Sequence, residues 1–167
     1  MLLDDLLDSV QQDAAVREVL VGAYCTVVCS RTCGMAASLS DHHQPKHSHV
    51  RAAGRLHTKS ARQLAEYVRS DNPLEASIGL AALNSLLEVN VSQAVEINAV
   101  DVLMEKGKGK NVALVGHFPF VPRLRPAVGQ LWVLEIHPLE GDYPAEAAAD
   151  LLPQADIVAI TSSALIN

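Results

Sequence analysis

Across 167 residues the sequence is 49% hydrophobic but only 4% aromatic, and it carries a net charge of −6. That length builds one domain or two small ones, with a core mostly of aliphatic residues and alanine. The charge is −3 in residues 1–100 and −3 in 101–167, so no basic face is implied and neither nucleic acid nor an anionic membrane is an expected partner.

The longest apolar run, residues 19–29, is shorter than the about 20 residues of a membrane span. The start, Met1-Leu2-Leu3-Asp4-Asp5, lacks the basic region of a signal peptide. A soluble, cytoplasmic protein is expected. Three cysteines do not make a disulfide framework.

Leu3, Leu6, Leu7 and Val10 recur at helical spacing and predict an amphipathic helix over 2–13. Residues 17–30, rich in Val, Tyr, Thr and Cys, read as one strand bent at Gly22. A turn at Arg31-Thr32-Cys33-Gly34 then returns the chain as a second strand over 35–39, a hairpin. Residues 40–57 hold five of the seven histidines. Loop histidines this dense bind transition metals weakly in almost any protein, and the segment is expected to be solvated and outside the main site. Cys25 and Cys29 share a strand face but lie roughly 13 Å apart. Cys29 and Cys33 can approach across the turn, yet two thiolates make a poor structural metal site. Buried, inert strand cysteines are expected.

Ser60 with Gln63 forms a capping box for a helix over 61–69. Asn72-Pro73-Leu74-Glu75 opens a helix over 73–88 that is apolar nearly all round and therefore buried. Asn84 inside it needs hydrogen-bond partners: it either locks a core contact or faces a cleft. A short helix over 101–106 follows. Then come three near-continuous apolar runs, at 112–115, 131–134 and 156–160, separated by crossover-length segments. Runs of this kind indicate a parallel sheet covered on both faces. Three prolines (Pro119, Pro122, Pro126) keep the first crossover short or irregular, whereas Pro144 and Pro153 bracket a helix over 145–152. The predicted fold class is α/β: an α+β domain over 1–95, then a parallel α/β domain over 96–167.

Ligands in such sheets bind outside the carboxyl ends of the strands. Here those ends carry His117, Glu135 and His137. Glu135 and His137 share a face of an extended strand, and His117 leaves the neighbouring one. An imidazole–carboxylate–imidazole set ligates a transition metal ion, transfers protons, or merely caps strand ends. The turn Gly116-His117-Phe118-Pro119 has one glycine where a dinucleotide fingerprint needs three, which disfavours NAD or FAD in the usual mode. Thr161-Ser162-Ser163 is either an anion cradle or an ordinary helix cap.

Four segments together resemble a known family. They are Val21-Gly22-Ala23-Tyr24-Cys25-Thr26-Val27-Val28, Gly79-Leu80-Ala81-Ala82-Leu83-Asn84, Val115-Gly116-His117-Phe118-Pro119, and the stretch Ala155-Asp156-Ile157-Val158-Ala159-Ile160-Thr161-Ser162-Ser163-Ala164-Leu165-Ile166-Asn167. They resemble the bacterial and archaeal DUF364/DUF4213 proteins, a family associated with heavy-metal chelation, over nearly the whole chain apart from the histidine segment. The resemblance implies a first domain like the enolase N-terminal domain, a Rossmann-like second domain and a site in the cleft between them. Ser162-Ser163 departs from an expected Gly-Thr. The resemblance also implies a longer second domain, so that further chain or a partner subunit in a homo-oligomer would cover the open sheet face.

The expected function is binding of a metal ion or small metal-chelating ligand. Thr26, Asn84, Gly116, Phe118, Thr161 and Ser162 would line the site, and His117, Glu135 and His137 would ligate a transition metal. An enzyme acting on a small phosphorylated or nucleotide-like ligand at the same strand ends is the alternative. A subunit whose main task is assembly is a third.

Overall fold

The computed structural model describes residues 2–39 and 49–166. The chain forms two compact units, Met1–Val89 with Leu165–Asn167, and Asn90–Ala164. It is a mixed α/β protein with one antiparallel and one parallel sheet. Among the described residues no helix is long and apolar enough to cross a membrane.

The first unit opens with α1 (Leu2–Ser9), shorter than its periodicity suggests, with Leu7 and Val10 buried. Three antiparallel strands follow in the order β1 (Glu18–Val21), β2 (Cys25–Cys29) and β3 (Cys33–Ala37). The single bent strand expected over 17–30 is therefore two strands. Gly22 lies in a tight turn, its N–H donating to the Cys25 carbonyl at 2.9 Å.

Thr26 and Val28 on β2 and Gly34 and Ala36 on β3 face inward. There they meet α3 (Pro73–Leu86), which is buried along nearly its whole length. That helix needs apolar neighbours on several sides, and α2 (Ala61–Ala65) supplies them on another side. Gly34 and Gly79 make the close approach possible. A Cβ on Gly34 would lie 2.2 Å from the Ala81 carbonyl oxygen, and one on Gly79 2.0 Å from the Val68 nitrogen.

The local start signals appear as expected. The Ser60 side chain accepts from the Gln63 N–H while Gln63 returns to the Ser60 N–H. Asn72 accepts from the N–H groups of Leu74 and Glu75. The helix expected over 61–69 tightens to a 3₁₀ turn over Glu66–Arg69. Glu75, buried inside the unit, accepts from the Arg51 N–H (2.6 Å), Arg51 Nε (2.8 Å) and Ser70 Oγ (2.7 Å).

The cysteines differ from expectation. The β2–β3 register places Cys29 directly opposite Cys33, and they form a disulfide. Cys25 is a free thiol and is exposed. The three-residue turn Ser30-Arg31-Thr32 sets the pair directly opposite one another across the strands, so register and not burial decides their state. Of the histidine segment, residues 40–48 lie outside the described residues; His49 and His57 are exposed.

The second unit begins with α4 (Ala99–Lys106) and is built on a parallel sheet of order β6-β5-β4-β7. Its strands are β4 (Asn111–Val115), β5 (Gln130–Glu135), β6 (Tyr143–Pro144) and β7 (Ile157–Ile160). Val112 and Leu114 on β4 and Leu131 and Val133 on β5 pack with Leu103 of α4 and with Val121 and Leu124 of α5 (Val121–Leu124). The proline-rich first crossover is indeed short. In the second, α6 (Ala148–Leu151) is flanked by 3₁₀ turns at Ala145–Ala147 and Leu152–Gln154. The two-residue β6 has no counterpart in the sequence reading.

Candidate functional site

β4 ends at Val115, and Gly116 turns the chain with φ of +102°, a conformation that favours glycine. A Cβ there would also come within 2.7 Å of Thr161 Cγ2, so the ends of β4 and β7 meet closely. The turn brings the His117 N–H to Glu135 Oε2 at 2.8 Å. Glu135 Oε1 accepts from the Ile136 N–H at 2.8 Å. Glu135 thus fastens the loop after β4 to the end of β5, and both its oxygens are engaged by backbone donors.

The His117 ring is held separately. Its Nδ1 lies 2.7 Å from Asp142 Oδ2. The Asp142 side chain is 1% exposed and that of His117 28%. A turn positions the acid: the Asp142 N–H donates to the Leu139 carbonyl at 3.0 Å, and Asp142 Oδ2 accepts from the Leu139 N–H at 3.2 Å. Gly141, with φ of +86°, closes that turn. Asp142 Oδ1 is buried without a hydrogen-bond partner among the described residues. A carboxylate that is ionised only accepts, so in that state Nδ1 is the donor of this bond and Nε2 of the ring carries the lone pair. An imidazole oriented in this way is suited to ligate a metal or to move a proton.

The other expected site residues are distributed as follows. Phe118 is half-buried against the core of the second unit and stacks on Phe120 with centroids 4.9 Å apart. Thr161 donates its N–H to the Val115 carbonyl at 3.0 Å, and its Oγ1 lies 3.1 Å from Ser163 Oγ. Ser162 is exposed at the start of a four-residue 3₁₀ turn, Ser162–Leu165. His137 is exposed. In the first unit, Thr26 is fully buried and its Oγ1 lies 2.8 Å from Ser38 Oγ. Asn84 donates Nδ2 to the Met35 carbonyl at 2.9 Å, locking α3 to the edge strand β3.

The donor set expected for a metal is therefore not assembled by these side chains. Among the described residues no group of three or more His, Cys, Asp or Glu is placed to hold a metal ion. Glu135 is taken up by backbone amides, and the acid that partners His117 is Asp142, which sequence reasoning missed. The one signal for it was the turn Glu140-Gly141-Asp142 between the second and third apolar runs.

The signature of the DUF4213 family, described as "Putative heavy-metal chelation", matches residues 3–87, half of the chain. That of DUF364, with the same description, matches residues 98–167. The chain belongs to the DUF4213/DUF364 family. A DUF364-family protein of unknown function from Desulfitobacterium hafniense DCB-2 has a similar structure, with a TM-score of 0.78 and 29% identity over 99% of this chain and 68% of its own. A second DUF364 protein of unknown function, from Pyrococcus horikoshii, gives a TM-score of 0.74 over 100% of this chain and 71% of its own. At 18% identity that likeness shows the fold alone. No curated protein matches this DUF4213/DUF364 chain.

Proposed function

We propose that the protein binds a small metal-bearing chelate at the carboxyl ends of β4 and β5, with His117 as the protein's own donor. One observation carries this reading: a nearly inaccessible carboxylate, Asp142, holds His117 Nδ1. Second-sphere carboxylates of this kind orient ligating histidines and raise their basicity. The donor set does not suit a bare ion, because a closed site needs about four ligands. It suits a metal whose other positions a small molecule already fills. The family description supports metal as the cargo. Such a metal supplies the bond that anchors the chelate. The chain's own groups do the rest: Asp142 fixes the ring, Glu135 fixes the loop carrying it, and Gly116 lets β4 and β7 end side by side.

The same pair favours a second reading, an enzyme in which His117 exchanges a proton with a small ligand and Asp142 sets the tautomer. A single glycine and a four-residue α5 give phosphate little to bind, so the acid–base step is the stronger part of that alternative.

Native mass spectrometry with elemental analysis of protein purified without an affinity tag tests the proposal. A bound small molecule accompanied by metal, both lost in His117→Ala, is expected. Metal-free ligand retained in the variant would contradict it.

A further inference from the structure

The outer face of the three-stranded sheet carries a second, independent cluster. Glu18, Cys29 and Cys33 lie in one row across the strands, since Glu18 pairs with Cys29 and Cys29 with Cys33. Directly opposed residues of antiparallel strands share a face, with Cβ atoms about 4.5–5.5 Å apart. Met35, two residues beyond Cys33 and therefore on the same face, is 62% exposed. Cys33 is exposed and Cys29 half-buried. The face thus presents the two sulfurs of the Cys29–Cys33 disulfide and a thioether beside an exposed carboxylate.

We propose that Cys29 and Cys33, when reduced, form a dithiolate site for a soft cation of the Cu(I) class, and that the disulfide is its closed state. Thiolate and thioether ligands select Cu(I), which does not need the four donors of a structural zinc site. The scaffold does not depend on the sulfur–sulfur bond. Thr32 donates its N–H (3.1 Å) and Oγ1 (3.0 Å) to the Ser85 carbonyl, and Ser30 Oγ lies 2.5 Å from Ser85 Oγ. Arg31 reaches Gln12 (3.2 Å) and Glu88 (2.7 Å). These contacts hold the turn against the end of α3, so the opened thiols stay opposite one another as a pre-organised pair.

Opening the site needs one co-reactant, a thiol-class reductant. A reductant of the thiol class gives two electrons and two protons, the Cys29–Cys33 bond breaks, and the reductant leaves as its own disulfide. Binding then forms two S–Cu bonds and releases both thiol protons to solvent.

The site does not involve His117 and stands whether or not that reading holds. The test uses full-length protein reduced with a phosphine, desalted without oxygen and titrated with Cu(I) against a chromophoric Cu(I) chelator. Reduced protein should take up about one more equivalent than oxidised protein. Cys29→Ser and Cys33→Ser should lose that increment, while Cys25→Ser keeps it. The histidine segment is present in every sample, so its weak uptake cancels. The oxidised–reduced comparison on the unmodified chain stands even if a serine variant fails to fold. Equal uptake by the two states, or loss in Cys25→Ser alone, would overturn the proposal.

Discussion

Glu75 is the clearest place to perturb the first unit. It is 3% exposed and its carboxylate accepts from Arg51 and Ser70. Burial pushes its pKa up, but the bonds from Ser70 and from the backbone and guanidinium of Arg51 outweigh burial and hold it below the ordinary value of 4.5. Hydrogen bonds to a charged group contribute about 1.5–3 kcal/mol each, but the Arg51 guanidinium is largely exposed and its share is screened. Replacing Glu75 by alanine should therefore cost about 2–3 kcal/mol, or a fall in Tm on the order of 10 °C for a unit of this size. The pH dependence has a definite sign. A carboxylate whose folded pKa is depressed stabilises fully above its unfolded pKa, and that contribution is lost as pH falls through the folded value. Urea unfolding at neutral pH and at successive steps below pH 4.5 should show the wild-type advantage over Glu75→Gln shrinking as acid is added. An advantage independent of pH would refute the argument, because the carboxylate's charge would then contribute nothing.

Two further substitutions probe the same unit. Gly79→Ala places a methyl 2.0 Å from the Val68 nitrogen and should destabilise by more than about 2 kcal/mol, read as a lower urea midpoint; backbone on both sides leaves little room to yield. Ser60→Ala removes the capping box and should cost about 1 kcal/mol by the same measurement, without altering the far-UV circular dichroism.

What the sequence revealed was what is decided locally. Ser60 with Gln63, and Asn72 with Pro73, fix helix starts within a few residues, so both were readable. The apolar runs behind β4 and β5 announced a parallel sheet because strands buried on both faces tolerate little polar alternation; β7 carries such a run although its Val158 and Ile160 are exposed. The β1–β2 turn was missed because Ala23 and Tyr24 give it no turn composition, leaving only Gly22 as a marker. β6 is two residues long and has no period to detect. The geometry of the candidate site was half legible. His117 and Glu135 were placed by strand ends, but the role of Glu135 as a backbone acceptor and the pairing of His117 with Asp142, 25 residues on, depend on how two loops fold back. The cysteine pair was visible as a spacing, and only strand register turned it into a bond.

The central claim is that Asp142 holds His117 so that Nε2 can anchor a metal already bound by a small molecule. The direct measurement is residue-resolved ¹⁵N NMR of the histidine rings during titration with zinc iminodiacetate, a chelate with open positions. His117 Nε2 should shift first while Nδ1 keeps its proton, and Asp142→Asn should weaken that step about 10–100-fold. If the exposed His49, His57 and His137 respond while His117 does not, or if Asp142→Asn binds as the wild type does, the account is contradicted.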